Sequence, residues 1–299
     1  MSKIKQLSKY TAFVGEDGRT INEFKSLLQE FDEQQNLLKE VEYSATGEIE
    51  SSSEYKYNGQ NKLIAEVHYF EEDEVGETIK YHLDEEGKAL EIETTYGDSG
   101  KSIKKISRTG RLLTVKIVDE DGESEGEETV KFDHKQRPVE ETHIDEDGQV
   151  SQCSVYEYNN SGQVLSRIDY GEKNEFHTKT IFDYDKDGNR IRSVQRSEKG
   201  NLINSLLYEY DENRNQVLLQ NSHHLRRTAY DDKNRIISEE TINRSNNLAE
   251  GFTEYTYGEH GLLIEERSFE MSSSNQQDPL SFGNSKSNFV VNRYEYEFY

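Results

Sequence analysis

The amino-acid sequence predicts an all-β protein, a continuous antiparallel meander of two-strand repeats that forms a curved or twisted open sheet. Three observations predict it. The first is an internal repeat: Ser205-Leu206-Leu207-Tyr208-Glu209-Tyr210-Asp211-Glu212-Asn213-Arg214-Asn215 matches Ser26-Leu27-Leu28-Gln29-Glu30-Phe31-Asp32-Glu33-Gln34-Gln35-Asn36 at most positions. Aligned on the residue ahead of the turn, the unit recurs at Phe31, Tyr57, Leu83, Ser107, Phe132, Tyr158, Tyr184, Tyr210, Tyr230 and Tyr257, a period of roughly 26 residues. The second is alternation with period two. Tyr55 and Tyr57, then Ile79, Tyr81 and Leu83, Tyr156 and Tyr158, and Leu206, Tyr208 and Tyr210 each fall on one sheet face. The third is turn chemistry, as in Asp84-Glu85-Glu86-Gly87, Asn159-Asn160-Ser161-Gly162 and Asp185-Lys186-Asp187-Gly188, where Gly supplies positive φ and Asp or Asn closes the turn with its side chain.

Residues 1–30 are expected to be an N-terminal cap or arm followed by the first strands. The first dozen residues are polar and carry no assignment, and Val14-Gly15-Glu16-Asp17-Gly18 opens a turn into a strand. Thr20 and Glu23 also have capping-box spacing, with Phe24, Leu27, Leu28 and Phe31 at helical intervals, so residues 20–34 admit a helix. The strand reading is preferred, because the same Ser-Leu-Leu segment precedes Tyr210 in a cleaner strand pattern.

Residues 31–270 are read as the hairpin repeats. Lys56, Glu157, Asp183, Glu209 and Thr256 lie between the aromatic positions and would face water, the pattern of a sheet solvated on one side. The second half of each unit alternates again, as in Leu63, Ala65, Val67 and Tyr69, or Val164, Ser166, Ile168 and Tyr170. Tight turns throughout give about twenty strands. Between Tyr210 and Tyr230 the unit is short, with Asn221-Ser222-His223-His224-Leu225-Arg226-Arg227 in place of the usual turn. Residues 271–288 are Ser/Asn/Gln-rich and patternless, an irregular loop and the candidate for specific contacts. Residues 289–299 resume the alternation as a closing strand.

Composition narrows the function. Hydrophobic residues make up 31% of the chain and charged residues 32%, too polar for a thick interior. Nineteen tyrosines suit a thin sheet instead, since each buries ring area and keeps a wet hydroxyl. A net charge of -24 repels phosphates and anionic lipid; its ordinary meaning is solubility of a protein with exposed sheet edges, and its sharper one a basic protein partner, steered by outward acids such as Glu157, Asp183, Glu209 and Glu295, or nucleic-acid mimicry. Cys153 is the single cysteine, so no intrachain disulfide forms and a reducing compartment is permitted. The segment Met1-Ser2-Lys3-Ile4-Lys5-Gln6-Leu7 lacks a signal-peptide apolar run, and no stretch has membrane-span hydrophobicity, so a cytoplasmic protein is expected.

No catalytic, cofactor-binding or metal-ligating residue is assigned. Asp183-x-Asp185-x-Asp187-Gly188 has the opening of a calcium loop, but Val194 stands where the bidentate Glu is needed, and the same positions recur as hairpin turns. Asp119-Glu120-Asp121-Gly122 and Asp145-Glu146-Asp147-Gly148 are read as turns for the same reason. His223 and His224 are adjacent, so on a strand they point to opposite faces and are read as solvated turn residues. Cys153 has no identifiable His partner and is read as a small half-buried side chain. No Walker loop, dinucleotide fingerprint, zinc spacing or nucleophile elbow is present.

The phrases Tyr184-Asp185-Lys186-Asp187-Gly188-Asn189-Arg190-Ile191, Tyr210-Asp211-Glu212-Asn213-Arg214-Asn215 and Tyr230-Asp231-Asp232-Lys233-Asn234-Arg235-Ile236-Ile237 resemble the tyrosine-aspartate repeats of bacterial RHS and related wall-associated proteins. The resemblance implies strand-turn-strand units of a long sheet, which in that family spirals into a hollow shell. This chain has far fewer units, and toxin encapsulation does not carry over. The expected function is a non-enzymatic interaction or assembly component that presents an acidic repeat surface. An RHS-like shell or cargo component of a bacterial toxin or secretion apparatus is the alternative, and carbohydrate binding by the tyrosine rows is a weaker one.

Overall fold

The computed structural model describes residues 3–15, 19–70, 74–97, 100–172, 175–270 and 289–299. Among these, the regular structure is entirely β. The strands run β1 (Ile4–Val14), β2 (Thr20–Phe31), β3 (Leu37–Tyr43), β4 (Ile49–Tyr57), β5 (Leu63–Tyr69), β6 (Val75–Leu83) and β7 (Ala89–Tyr96). They continue as β8 (Lys101–Thr109), β9 (Leu112–Asp119), β10 (Ser124–Phe132), β11 (Pro138–Ile144), β12 (Val150–Tyr158), β13 (Val164–Tyr170), β14 (Phe176–Tyr184) and β15 (Arg190–Ser197). The last are β16 (Leu202–Tyr210), β17 (Gln216–Gln220), β18 (His224–Tyr230), β19 (Ile236–Asn243), β20 (Leu248–Tyr257), β21 (Leu263–Glu270) and β22 (Phe289–Phe298). Thr20–Phe31 is therefore strand rather than helix. From Ile4 onward the unassigned first dozen residues belong to β1.

The expectation of an open sheet is overturned. All 22 strands belong to one antiparallel sheet, and β1 hydrogen-bonds to β22 as well as to β2. Ile4 lies opposite Phe298 at one end of that seam and Val14 opposite Phe289 at the other. In its hydrogen-bond connectivity the sheet is thus a closed antiparallel β-barrel rather than an open ribbon. The physical reason is the edge rule: a terminal strand with unpaired N–H and C=O groups is stabilised by any partner of the right register, and here each chain end is that partner for the other.

The chain forms two compact units. One joins Met1–Ser52 to Leu206–Tyr299, and the other is Ser53–Ser205. In the first unit, the seam holds the one hydrophobic cluster found among the described residues, Ala12, Val14 and Val291 with Phe289 against them. Beside it the Thr11 hydroxyl donates to Asn292 Oδ1 at 2.9 Å and accepts from the Ser26 hydroxyl at 2.7 Å, tying the two neighbours of β1 to it. The Gln35 side-chain amide clasps the backbone of Ile4 in both directions, at 2.9 and 2.7 Å.

In the second unit a β-bulge recurs one residue ahead of the repeat anchor, between His82 and Leu83, Lys131 and Phe132, Glu157 and Tyr158, and Asp183 and Tyr184. A bulge shifts the register by one and so moves the apolar set of the next strand to the other face. Tyr156 is opposite Arg167, whereas Ile168 is opposite Val155 and Ser166 opposite Glu157. Apolar side chains consequently populate both faces, not the single face that the alternation alone suggested. Among the described residues no large side chain is fully buried, as a thin sheet requires.

Candidate interaction surface

Many of the repeat turns are assembled by one acidic or amide side chain, while Ser44 plays the same part with its hydroxyl. Asp185 Oδ1 accepts the N–H groups of Asp187 and Asn189 at 2.9 Å, while Oδ2 accepts Asn189 Nδ2 at 2.9 Å. Asp211 repeats this with Asn213 and Asn215, and Asp231 with Lys233 and the main chain and Nε of Arg235. The residue before the turn's close takes positive φ, Gly188 at 88° or, with an ordinary side chain, Arg214 at 68°. Asp231 is held down at about 2 by the Arg235 side chain first, then by the N–H groups it accepts.

The anchor tyrosines tie each repeat to the previous one. Tyr158 Oη donates to the Pro138 carbonyl at 2.6 Å, Tyr184 to Val164 at 2.8 Å and Tyr257 to Ile236 at 2.8 Å. Arg137 and Arg235, while serving their own turns, stack over the Tyr158 and Tyr257 rings at 4.4 and 4.3 Å. The tyrosines two residues earlier bond carboxylates instead: Tyr81 to Glu66 at 2.5 Å, Tyr156 to Glu141 at 2.8 Å, Tyr255 to Glu239 at 3.0 Å and Tyr294 to Glu266 at 3.1 Å. Burial and then the Glu141 hydrogen bond push the Tyr156 phenol up to about 12.

The strand registers of the unit Ser53–Ser205 separate its charges by face. Glu66, Glu77, Glu128, Glu141 and Asp169 share the face of Tyr81 and Tyr156, and Lys104, Arg108 and Arg167 are cations on that face. On the opposite face, Glu93 holds Lys101 at 2.6 Å and Lys80 at 3.8 Å, Glu127 faces Lys116 at 3.9 Å, Glu140 holds Lys131 at 2.5 Å and Asp183 faces Arg192 at 4.0 Å. Glu157 and Asp183, expected to carry an acidic outer field, thus lie on the face where cations answer the carboxylates.

The residues weighed as ligands do not converge. Asp183 is directed to Arg192 and Asp185 to its own turn, and Val194 pairs with Ile181. Asp119 and Asp145 close turns through Oδ1 in the same manner. His223 and His224 are exposed, with ring centroids 6.3 Å apart, and His224 Nε2 meets Glu250 at 3.1 Å. Cys153 is buried on β12 and accepts a hydrogen bond from Thr142 at 3.7 Å. The loop at residues 271–288 lies outside the described residues. Sequence reasoning missed one cluster, His82, Glu91 and Glu93, whose donor atoms lie within 4.8 Å of one another. Only the β6–β7 register brings them together, and Lys80 and Lys101 already neutralise Glu93 there. No helix among the described residues is long and apolar enough to cross a membrane.

No family profile and no curated protein matches the chain. Among solved structures it is similar to a chain of the TcdB2-TccC3-Cdc42 crystal structure, at 15% identity and a TM-score of 0.44, covering 94% of this chain and 15% of that one. A chain of the TcdB2-TccC3 crystal structure matches at 15% identity and a TM-score of 0.34, covering 87% and 16%. A porin-like protein from Bacteroides uniformis matches at 9% identity and a TM-score of 0.35, covering 99% and 98%. The chain spans about 15% of the length of the first of these.

Proposed function

We propose that this chain is a non-enzymatic, cytoplasmic assembly or interaction component that presents an acidic β-repeat surface to another protein. The observation that carries this reading is where the reactive side chains go. Turn residues such as Asp185 and tyrosines such as Tyr184 and Tyr156 are committed to turns, to the preceding repeat or to a neighbouring carboxylate, which makes a rigid surface and leaves a net charge of -24 to act on a partner. Because β1 and β22 each have a strand on both sides, a partner meets side chains and turns rather than adding a strand. The closed sheet and the tyrosine-aspartate phrases favour a second reading, an RHS-like shell or cargo component.

The test is capture from native extract on the immobilised chain, with the bound fraction followed as salt rises. A basic protein captured at low salt and released as the Debye length falls below about 8 Å is the expected result. Capture of glycans instead of protein, or turnover of a substrate, would sink the proposal.

A further inference from the structure

We propose that the tyrosine face of the unit Ser53–Ser205 is a docking surface for an extended, Arg- and Lys-rich polypeptide segment. This rests on the interaction reading and specifies its surface and its partner. The two faces carry different charge problems. On the face opposite the tyrosines, Lys80, Lys101, Lys116 and Lys131 answer Glu93, Glu127 and Glu140 across the strands, so that face satisfies itself. On the tyrosine face Arg167 is engaged by Asp169 at 2.5 Å and Glu66 also meets His68 Nε2 at 3.3 Å, while the phenols that bond Glu66 and Glu141 donate a hydrogen bond and bring no charge. The five carboxylates on this face outnumber Lys104, Arg108 and Arg167, and the excess negative charge is left for an outside cation.

The geometry suits a guanidinium in particular. Tyr81 and Tyr156 hold their carboxylates beside half-buried aromatic rings, and a planar cation uses both, the carboxylate for paired N–H donors and the ring for stacking. Arg137 already does this within the protein, over Tyr158 and against Asp133 at 2.5 Å. Glu128, next along the row, is opposite His143, and its side chain is 42% exposed. Because these groups sit on strands, little ordering is required when the segment binds.

The test measures fluorescence anisotropy of labelled octa-arginine on the full chain, with octa-glutamate as control. The triple variant Glu66→Gln, Glu128→Gln, Glu141→Gln removes charge from the tyrosine face, and Glu93→Gln, Glu127→Gln, Glu140→Gln removes the same charge from the other. The first is expected to weaken binding roughly tenfold and the second less than about twofold. Circular dichroism checks both folds, and the single exposed change Glu128→Gln, expected to weaken binding about twofold, serves if the triple fails to fold. Equal losses from the two triples would mean that bulk charge alone attracts the peptide, and absent binding would also overturn the proposal. If either occurs while a protein is still captured from extract, the surface is wrong and the interaction reading stands.

Discussion

Asp231 carries its turn on one carboxylate, and its acid constant follows from that. Its folded value is about 2 against an ordinary 3.8, so the stability it contributes is complete above 3.8 and is lost as pH falls towards 2. Asp231→Ala should lower the melting temperature by a few degrees at neutral pH, and the gap to the parent should narrow across that acid window in thermal scans. A gap that stays constant to pH 2 would show that the carboxylate's charge does not matter. Tyr156 works at the other end of the scale. Its phenol is raised from 10 to about 12, so its stabilisation is full below pH 10 and disappears between pH 10 and 12. Alkaline unfolding should therefore be shallower over that interval in Tyr156→Phe. Tyr257→Phe, which keeps the ring beneath Arg235 and loses only the bond to Ile236, should cost about 1 kcal/mol by urea denaturation. The turn roles of Asp and Gly were legible from spacing. What a tyrosine hydroxyl reaches, or that His82 meets Glu91 and Glu93, was not, because both depend on cross-strand register.

The bulges are the elements that decide which residues share a face. Gly126 sits at one, with φ +141°, and an added Cβ would lie 2.8 Å from the Ile144 carbonyl oxygen. Gly126→Ala should destabilise by about 1–3 kcal/mol, measured by chemical denaturation, and an effect near zero would mean the bulge relaxes freely. Strand existence was readable in the repeats, and the shortened unit after Tyr210 holds the short β17. The face of Ile168 and Val67 was not, since a one-residue slip leaves the alternation intact in the sequence while exchanging its sides. β1 escaped notice for a related reason: its apolar residues Ile4, Leu7, Ala12 and Val14 do not keep one parity, and the bulge between Ile4 and Gln6 brings Ile4 and Leu7 to one face while Ala12 and Val14 stay on the other.

At the scale of the molecule, closure depends on pairing between residues 4–14 and 289–298, which no local pattern announces. Removing residues 1–14 would leave β2 and β22 with open edges, and because both run antiparallel to β1 they are parallel to each other and cannot re-form the lost antiparallel pairing between themselves. The truncated chain should self-associate through those edges, seen as a larger species by light scattering, while the parent does not. A truncated chain of unchanged mass and melting temperature would show that the seam is dispensable.

The same seam has a genetic consequence. The Tyr299 N–H donates to the Lys3 carbonyl at 3.0 Å, so the two described ends of the chain lie within reach of a short linker. A circularly permuted gene that fuses these ends and reopens the chain at an exposed hairpin, between Ser161 and Gly162 for instance, would encode every strand pairing in a new order of synthesis.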